Sequence, residues 1–317
     1  MSVRILQPGL LTTVQDLGRF GFQEFGLSAS GAMDPYAAAI ANILVGNDRD
    51  CAVLECFFLG PTIQFQQDTV FSITGGNFSP CLDHQPVQTY LPIAAHSGQI
   101  LSFSGSSEGC RCYLAFQGGI DIPPVMGSRS TDLRAHLGGF QGRKLLQGDE
   151  LSLGTSVHVP LPCSGWRIRP QYHRQPVQEL HVILGPQDHM FSPQTVQSFF
   201  NAEYTVTDKL DRMGCRLTGP VISSNCSQDM ISDAVVYGSV QIPPSGEPIL
   251  MLSDHQTVGG YPQIATVIAS DSFILAQLKP GDKVKFSQTT LDAAHNIAQK
   301  REAFLAQLQS MIPKIYP

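Results

Sequence analysis

Ser253, Asp254, His255, Gln256 and Thr257 follow one another without a break and run on into Gly259-Gly260-Tyr261-Pro262. The run holds a carboxylate, an imidazole, an amide and hydroxyls, groups that exchange hydrogen bonds and protons. It comes straight off an apolar alternation. Val240, Ile242, Ile249 and Met251 recur at period two, and Pro243, Pro244 and Gly246 punctuate the space between them. That pattern predicts a hairpin of two half-buried strands, 239–242 and 248–252. Polar side chains at a strand end, on a loop held by a rigid scaffold, are where sites are usually found, and paired glycines allow close backbone approach or positive φ. The same run also reads as a polar connection with an ordinary glycine bend. His255 is the one histidine of interest among nine, and a surface position is expected for it.

The elements that position this loop belong to a β-rich chain. Its 317 residues suggest two domains. Only 15% of residues are charged, while 29 glycines and 22 prolines separate short apolar runs. Strands are expected at 2–6, 52–57, 62–65, 70–74, 87–90, 99–103, 111–116, 150–153, 182–184, 264–268, 273–278 and 284–286. Helices are expected at 36–45, behind an Asp34 cap and Pro35, at 192–200 behind Ser192, and at 290–311, with a short one near 132–136. In the last long helix Leu291, Ala294, Ile297, Phe304, Leu305 and Leu308 form the apolar side. Two Gly-rich loops, 12–35 and 118–151, are too long to be simple connections. Asp16 and Arg19 stand in the first, where an ion pair between them is one reading. Gly148-Asp149 and Gly281-Asp282 each precede a closing strand, a hint of two related β domains. The expected organisation is residues 1–155, a Pro-rich crossing segment 156–178 with the single Trp166, and residues 179–317 with the terminal helix.

Several function classes receive no support. The net charge of −6 gives no footprint for nucleic acid. No apolar run approaches ~18 residues, so no membrane span is expected. Pro8-Gly9 interrupts the N-terminal segment, and a cytoplasmic location is expected. Eight cysteines form no CxxC pair, so reduced, mostly buried thiols are expected and no metal site. Gly105-Ser106-Ser107-Glu108-Gly109 matches a nucleophile-elbow pattern but precedes a strand, which makes it a turn. There is no phosphate-loop motif and no Met-Lys biotin-attachment context.

Four stretches together carry a resemblance: TTVQDLGRFGFQEFGLSASGAMD, GGIDIPPVMGSRSTDL with the following GGFQGR, DRMGCRLTG, and GSVQIPPSGEPILMLSDHQTVGGYPQIA. In order and over nearly the whole chain, they resemble the biotin-dependent carboxyltransferase-like family, also known as KipA-like or allophanate hydrolase subunit 2. The likeness is greatest to its 5-oxoprolinase C-type branch. It departs from the family pattern at Tyr237, where Pro is usual, and at Val258, where a second Thr is usual.

The resemblance implies two cyclophilin-like β-barrel domains. It implies ATP-dependent opening of 5-oxo-L-proline to L-glutamate by an assembly with two partner chains, a KipI-like B-type subunit and an A-type subunit, the ATP being bound by the complex. It leaves open a carboxyltransferase-type role on urea or a related amide with carboxybiotin, and a non-catalytic role as antagonist of a KipI-like kinase inhibitor. These substrates share a planar N–C=O group, which needs a donor at oxygen and an acceptor at N–H. Gln241, Asp254, Gln256 and Thr257 offer both, and Gly259-Gly260 would let backbone approach the flat group. A substrate carboxylate would suit Arg212 or Arg19, with Asp16 beside the latter. Asp254 is expected as general base or lactam orienter, and Tyr261 as lid or proton donor.

Overall fold

A computed structural model of the chain describes residues 2–155, 167–224 and 230–315. Of the segment 156–178, residues 156–166 with Cys163 and Trp166 lie outside the described residues, as does Cys226. The architecture is mainly β, with four α-helices among the described residues. It divides into two compact units. One is Met1–Arg19 with Ser30–His173 and Glu302–Pro317, and the other is Phe20–Ala29 with Arg174–Arg301.

In the first unit a six-stranded sheet has the order Glu150–Ser152, Ser2–Gln7, Thr62–Phe65, Ile100–Phe103, Pro80–Leu82, Gln85–Pro86. A five-stranded sheet has the order Leu11–Gln15, Val53–Phe57, Glu108–Phe116, Thr69–Asn77, Pro92–Ala95. Alternate residues of both enter one core, Val3, Ile5 and Phe65 from the first sheet and Val14, Phe71 and Phe116 from the second. The helix Pro35–Leu44 starts as its sequence dictates. Asp34 Oδ1 accepts from the N–H groups of Tyr36 and Ala37, both at 3.1 Å. Its Ile40 and Leu44 pack with Leu305, Leu308 and Ile312 of the terminal helix Leu291–Ile315. Leu291, Ile297 and Phe304 of that helix are exposed, so the expected apolar stripe is buried only in part.

Residues 12–15, expected as the start of a loop, belong to the strand Leu11–Gln15 paired with Val53–Phe57, and two further expectations fail in this unit for backbone reasons. Tyr90 has φ +62°, outside the β region, so 87–90 is no strand. Its N–H donates to Ile73 O and its hydroxyl accepts from Gly75 N–H, locking the bend. Residues 132–136 form a turn rather than a helix, because His136 takes φ +53° and the chain folds back so that Asp132 and Leu137 exchange backbone hydrogen bonds.

The second unit is a closed seven-stranded barrel. Its order is Gln178–Leu184, Gln263–Val267, Ser239–Gln241, Ile249–Met251, Gly214–Thr218, Glu203–Leu210, Lys283–Gln288. A parallel pairing of the first and last strands closes it and leaves no free edge. The helix Pro193–Asn201, capped by Ser192, stacks Phe199 on Phe286 with ring centroids 4.5 Å apart. The segment read as strand 273–278 is helical instead, over Ser272–Leu275. Ile274, Leu275, Ala276 and Leu278 are all buried, so the run lacks the polar alternation that separates a half-buried strand from a buried helix.

The repeated Gly-Asp feature has the same chemistry in each unit. Gly148 and Gly281 have φ +90° and +88°. The following carboxylate accepts from the N–H three residues back, Asp149 from Leu146 and Asp282 from Lys279. The six described cysteines are free thiols, with Cys56, Cys110, Cys112 and Cys215 buried. Gly105 to Ser107 is a turn between two strands, as its context predicts. Among the described residues no helix is long and apolar enough to cross a membrane.

Candidate functional site

Side-chain parity on three adjacent barrel strands places the site. Val240, Leu250 and Cys215 are register partners and fully buried, so they form an inner row. Their neighbours Gln241, Ile249 and Arg216 form the next row, on the opposite, outer face of the sheet. This outer row lines a cavity of about 510 Å³, within the range of small-molecule sites. Met251 adds to its floor, Gln256 and Tyr261 come from the loop after the hairpin, and Asp208, Lys209 and Asp211 come from the neighbouring strand and turn. Register shifts flank the row, between Val240 and Gln241 and between Val206 and Leu210. Such irregularities re-aim side chains and are common beside sites.

Gln241 is fully buried, yet its Nε2 has no hydrogen-bond partner. Its Oε1 accepts from Gln256 Nε2 at 3.5 Å. A buried amide donor left open costs about 1–3 kcal/mol. The orphan atom belongs to a residue that lines the cavity, and it packs against Gly259. Gly259 is why the amide fits. A Cβ at 259 would lie 2.5 Å from Gln241 Nε2 and 3.0 Å from Val235 Cγ2, whereas at 260 the nearest atoms are 3.6 and 3.8 Å away. Neither glycine has positive φ, so close approach is the reason for the first of them.

Arg212 and Asp254 are joined to each other. Arg212 Nε donates to Asp254 Oδ2 at 2.9 Å and Nη2 to Oδ1 at 3.0 Å. The Asp254 N–H also donates to Arg212 O. Both side chains are more than nine-tenths buried. The fork geometry ties up both carboxylate oxygens and one face of the guanidinium, so the pair acts as a clamp on the loop after the hairpin. Ser28 Oγ adds a bond to Ser253 O.

Thr257 and Val258 sit beside a short ladder of Asp233–Ala234 with Val258–Gly259. Thr257 O accepts from Val235 N–H, and the Val258 side chain is exposed. Tyr261 is 42% exposed at the cavity. His255 is buried, not on the surface, and its Nδ1 donates to Gln256 O at 2.8 Å.

Asp16 and Arg19 belong to the first unit, and they do not pair with each other. The Asp16 carboxylate accepts from Ser128 Oγ, Ser130 Oγ and the N–H groups of Gly18 and Arg129. Arg19 donates to the carbonyls of Val125 and Ser130, both at 3.0 Å. Together they pin segment 125–131 to the strand Leu11–Gln15, a structural task that uses their hydrogen-bonding capacity.

The structure thus brings Gln241, Gln256 and Tyr261 to one cavity, with Gly259 against its amide and the Arg212–Asp254 clamp behind the loop. As site residues, Arg216, Lys209, Ile249 and Met251 escape sequence reasoning. The signal for Arg216 lay in the alternation of Cys215, Arg216, Leu217, which sets it on the face opposite the barrel interior.

Comparison with known proteins places the chain. Residues 25–288 match the family described as carboxyltransferase domain, subdomain A and B. The chain is 37% identical to the C-type subunit of the Escherichia coli 5-oxoprolinase over 96% of its own length and 97% of that protein's. It is 37% identical to the corresponding 5-oxoprolinase chain of Haemophilus influenzae over 98% of both. Its structure superposes on part of the crystal structure of the K. lactis urea amidolyase with TM-score 0.90 and 29% identity, covering 97% of this chain and 20% of that one. The match by sequence and by structure is sustained along nearly the whole length, and the chain belongs to the family of the carboxyltransferase domain, subdomains A and B.

Proposed function

We propose that this chain is the C-type subunit of an ATP-dependent 5-oxoprolinase and contributes the lactam-binding site for conversion of 5-oxo-L-proline to L-glutamate. The observation that carries this reading is the correspondence with two relatives of that name, each 37% identical over at least 96% of this chain and 97% of its own. The cavity supports it. Gln241 Nε2 offers a donor for the lactam oxygen, and Gln256, whose own Nε2 is turned to Gln241, offers its Oε1 to the lactam N–H. Ile249 and Met251 face the ring carbons. Withdrawal of electron density from the carbonyl by the Gln241 donor makes the ring carbon more open to attack. Tyr261 at the cavity shields it and offers a hydroxyl to the leaving nitrogen. Arg212 and Asp254 act as positioning residues, holding the loop that carries Gln256 and Tyr261. Thr257, Gly259 and Gly260 shape that loop.

Asp208 and Asp211 balance Lys209 and Arg216 at the same cavity, leaving no net positive charge for a triphosphate. The nucleotide is therefore assigned to the rest of the assembly, its KipI-like B-type and A-type chains, and no step here is routed through it. A second reading, a carboxyltransferase-type role on urea or a related amide with carboxybiotin, is favoured by the close superposition on the urea amidolyase. This chain spans only a fifth of that protein, and such a role would need what the rest of that protein supplies. The test is glutamate release from 5-oxo-L-proline by this chain co-purified with its partner chains, with and without ATP. ATP-dependent glutamate that disappears when this chain is omitted supports the reading. No glutamate from an intact assembly overturns it.

A further inference from the structure

The outer row of the barrel carries more than the amide of Gln241. Gln241, Ile249 and Arg216 are register partners on three adjacent strands. Adjacent strands lie about 4.8 Å apart, so the backbones of Gln241 and Arg216 are about 10 Å apart, with Ile249 between them. Directly opposed residues project to the same face, and all three line the cavity. One end of the row therefore presents a buried, unpartnered amide donor, the middle an apolar side chain, and the far end a guanidinium.

Among the described residues that guanidinium has no acidic partner. Arg212 is held by Asp254, Arg143 by Asp149, Arg174 by Asp282, Lys283 by Glu203 and Lys285 by Glu179. Among the described residues, Arg216 and the neighbouring Lys209 form no ion pair. Two acids share the cavity with them. Asp211 turns its carboxylate to the N–H groups of Met213 and Gly214, and Asp208 is exposed. Two cations and two acids suit a single carboxylate seated on the arginine and disfavour a polyanion.

We propose that Arg216, assisted by Lys209, is the carboxylate-binding residue of the Gln241 cavity, and that the cavity selects a small molecule with a planar amide at one end and a carboxylate a few ångströms away. This rests on the oxoprolinase reading and deepens it. Arg212, already paired, leaves the carboxylate to Arg216, a planar fork suited to bidentate recognition. Urea itself carries no anion for Arg216 to hold, whereas carboxybiotin, its co-substrate in the second reading, does.

The test compares Arg216→Gln, Arg216→Lys and Lys209→Gln with the unaltered chain in the assembled complex. Arg216→Gln is expected to raise KM for 5-oxo-L-proline at least tenfold while kcat changes much less. Arg216→Lys should recover part of the loss, and Lys209→Gln should cost about threefold in KM. Inhibition by 2-pyrrolidinone, the same ring without the carboxylate, should be equal in the unaltered chain and Arg216→Gln. An unchanged KM in Arg216→Gln with turnover intact overturns the assignment. If the unaltered complex turns over no 5-oxo-L-proline, the oxoprolinase reading falls, and ligand-observed NMR on the full-length chain decides the subsite. Binding of 5-oxo-L-proline that Arg216→Gln abolishes upholds it, whereas equal binding or none overturns it.

Discussion

Gly259 lies so close to the side-chain amide of Gln241 that a Cβ at position 259 would sit 2.5 Å from Gln241 Nε2. Real Cβ contacts are never so short, so the amide would have to move out of the row it shares with Ile249 and Arg216. Gly259→Ala is therefore expected to lower turnover by tenfold or more in the assembled complex without unfolding the barrel. Gly260→Ala, whose Cβ would meet only atoms at 3.6 and 3.8 Å, is expected to stay within about twofold of the unaltered chain. Glutamate release by the two variants, with circular dichroism as the check on folding, measures the contrast.

The Arg212–Asp254 clamp is a stability feature as well as a positioning one. Arg212→Met strands a buried carboxylate, for which a loss of about 3–5 kcal/mol is expected. The double variant Arg212→Met, Asp254→Leu removes both charges and should recover much of that loss, because no uncompensated charge remains. Denaturant unfolding of the two singles and the double gives the coupling energy directly.

In the first unit, Asp16→Ala would leave the N–H groups of Gly18 and Arg129 and two serine hydroxyls without their acceptor. Charged acceptors contribute about 1.5–3 kcal/mol per hydrogen bond, so a loss of at least about 3 kcal/mol is expected. The thermal midpoint should fall by several degrees, and a midpoint within about one degree of the unaltered chain would show that the segment 125–131 is held in some other way.

Asp149 links stability to pH. Hydrogen bonds from Arg143, at 2.7 and 2.9 Å, hold its carboxyl below the usual carboxylate range. A group whose pKa is lowered on folding stabilises the fold above its unfolded pKa, about 4, and this contribution is lost as pH falls through the folded value. Arg143→Gln is expected to destabilise the chain by about 1 kcal/mol at pH 7, and the difference from the unaltered chain should shrink below about pH 4. Unfolding curves at pH 7 and pH 3 would measure this.

The parts of the fold legible in the sequence are those fixed by local chemistry. Asp34-Pro35 starts its helix because a carboxylate cap and a preset φ act within three residues. The hairpin before the site is legible as two strands around turn residues, but its half-burial is not borne out: every residue of Ser239–Gln241 and Ile249–Met251 is buried, with Val240 on the inner face and Ile249 and Met251 on the outer. The strand Glu203–Leu210 escapes the same reading, since only Tyr204 and Val206 turn inward before the bulge. At the site, Gln241, Gln256 and Tyr261 are visible as polar residues beside a strand end. What the clamp does is not, because Arg212 and Asp254 are 42 positions apart and only the barrel brings them together. Asp16 is likewise bonded to partners more than 110 residues away, which its sequence neighbourhood does not reveal.

Lactam binding by the amide of Gln241, as proposed, is open to direct test. Its most direct measurement is glutamate release by the assembled complex carrying Gln241→Leu, which keeps the volume and removes the donor. ATP-dependent glutamate is expected from the unaltered complex and a loss of at least a hundredfold in the variant, with assembly and unfolding midpoint preserved. Equal glutamate release from both complexes would contradict the proposal.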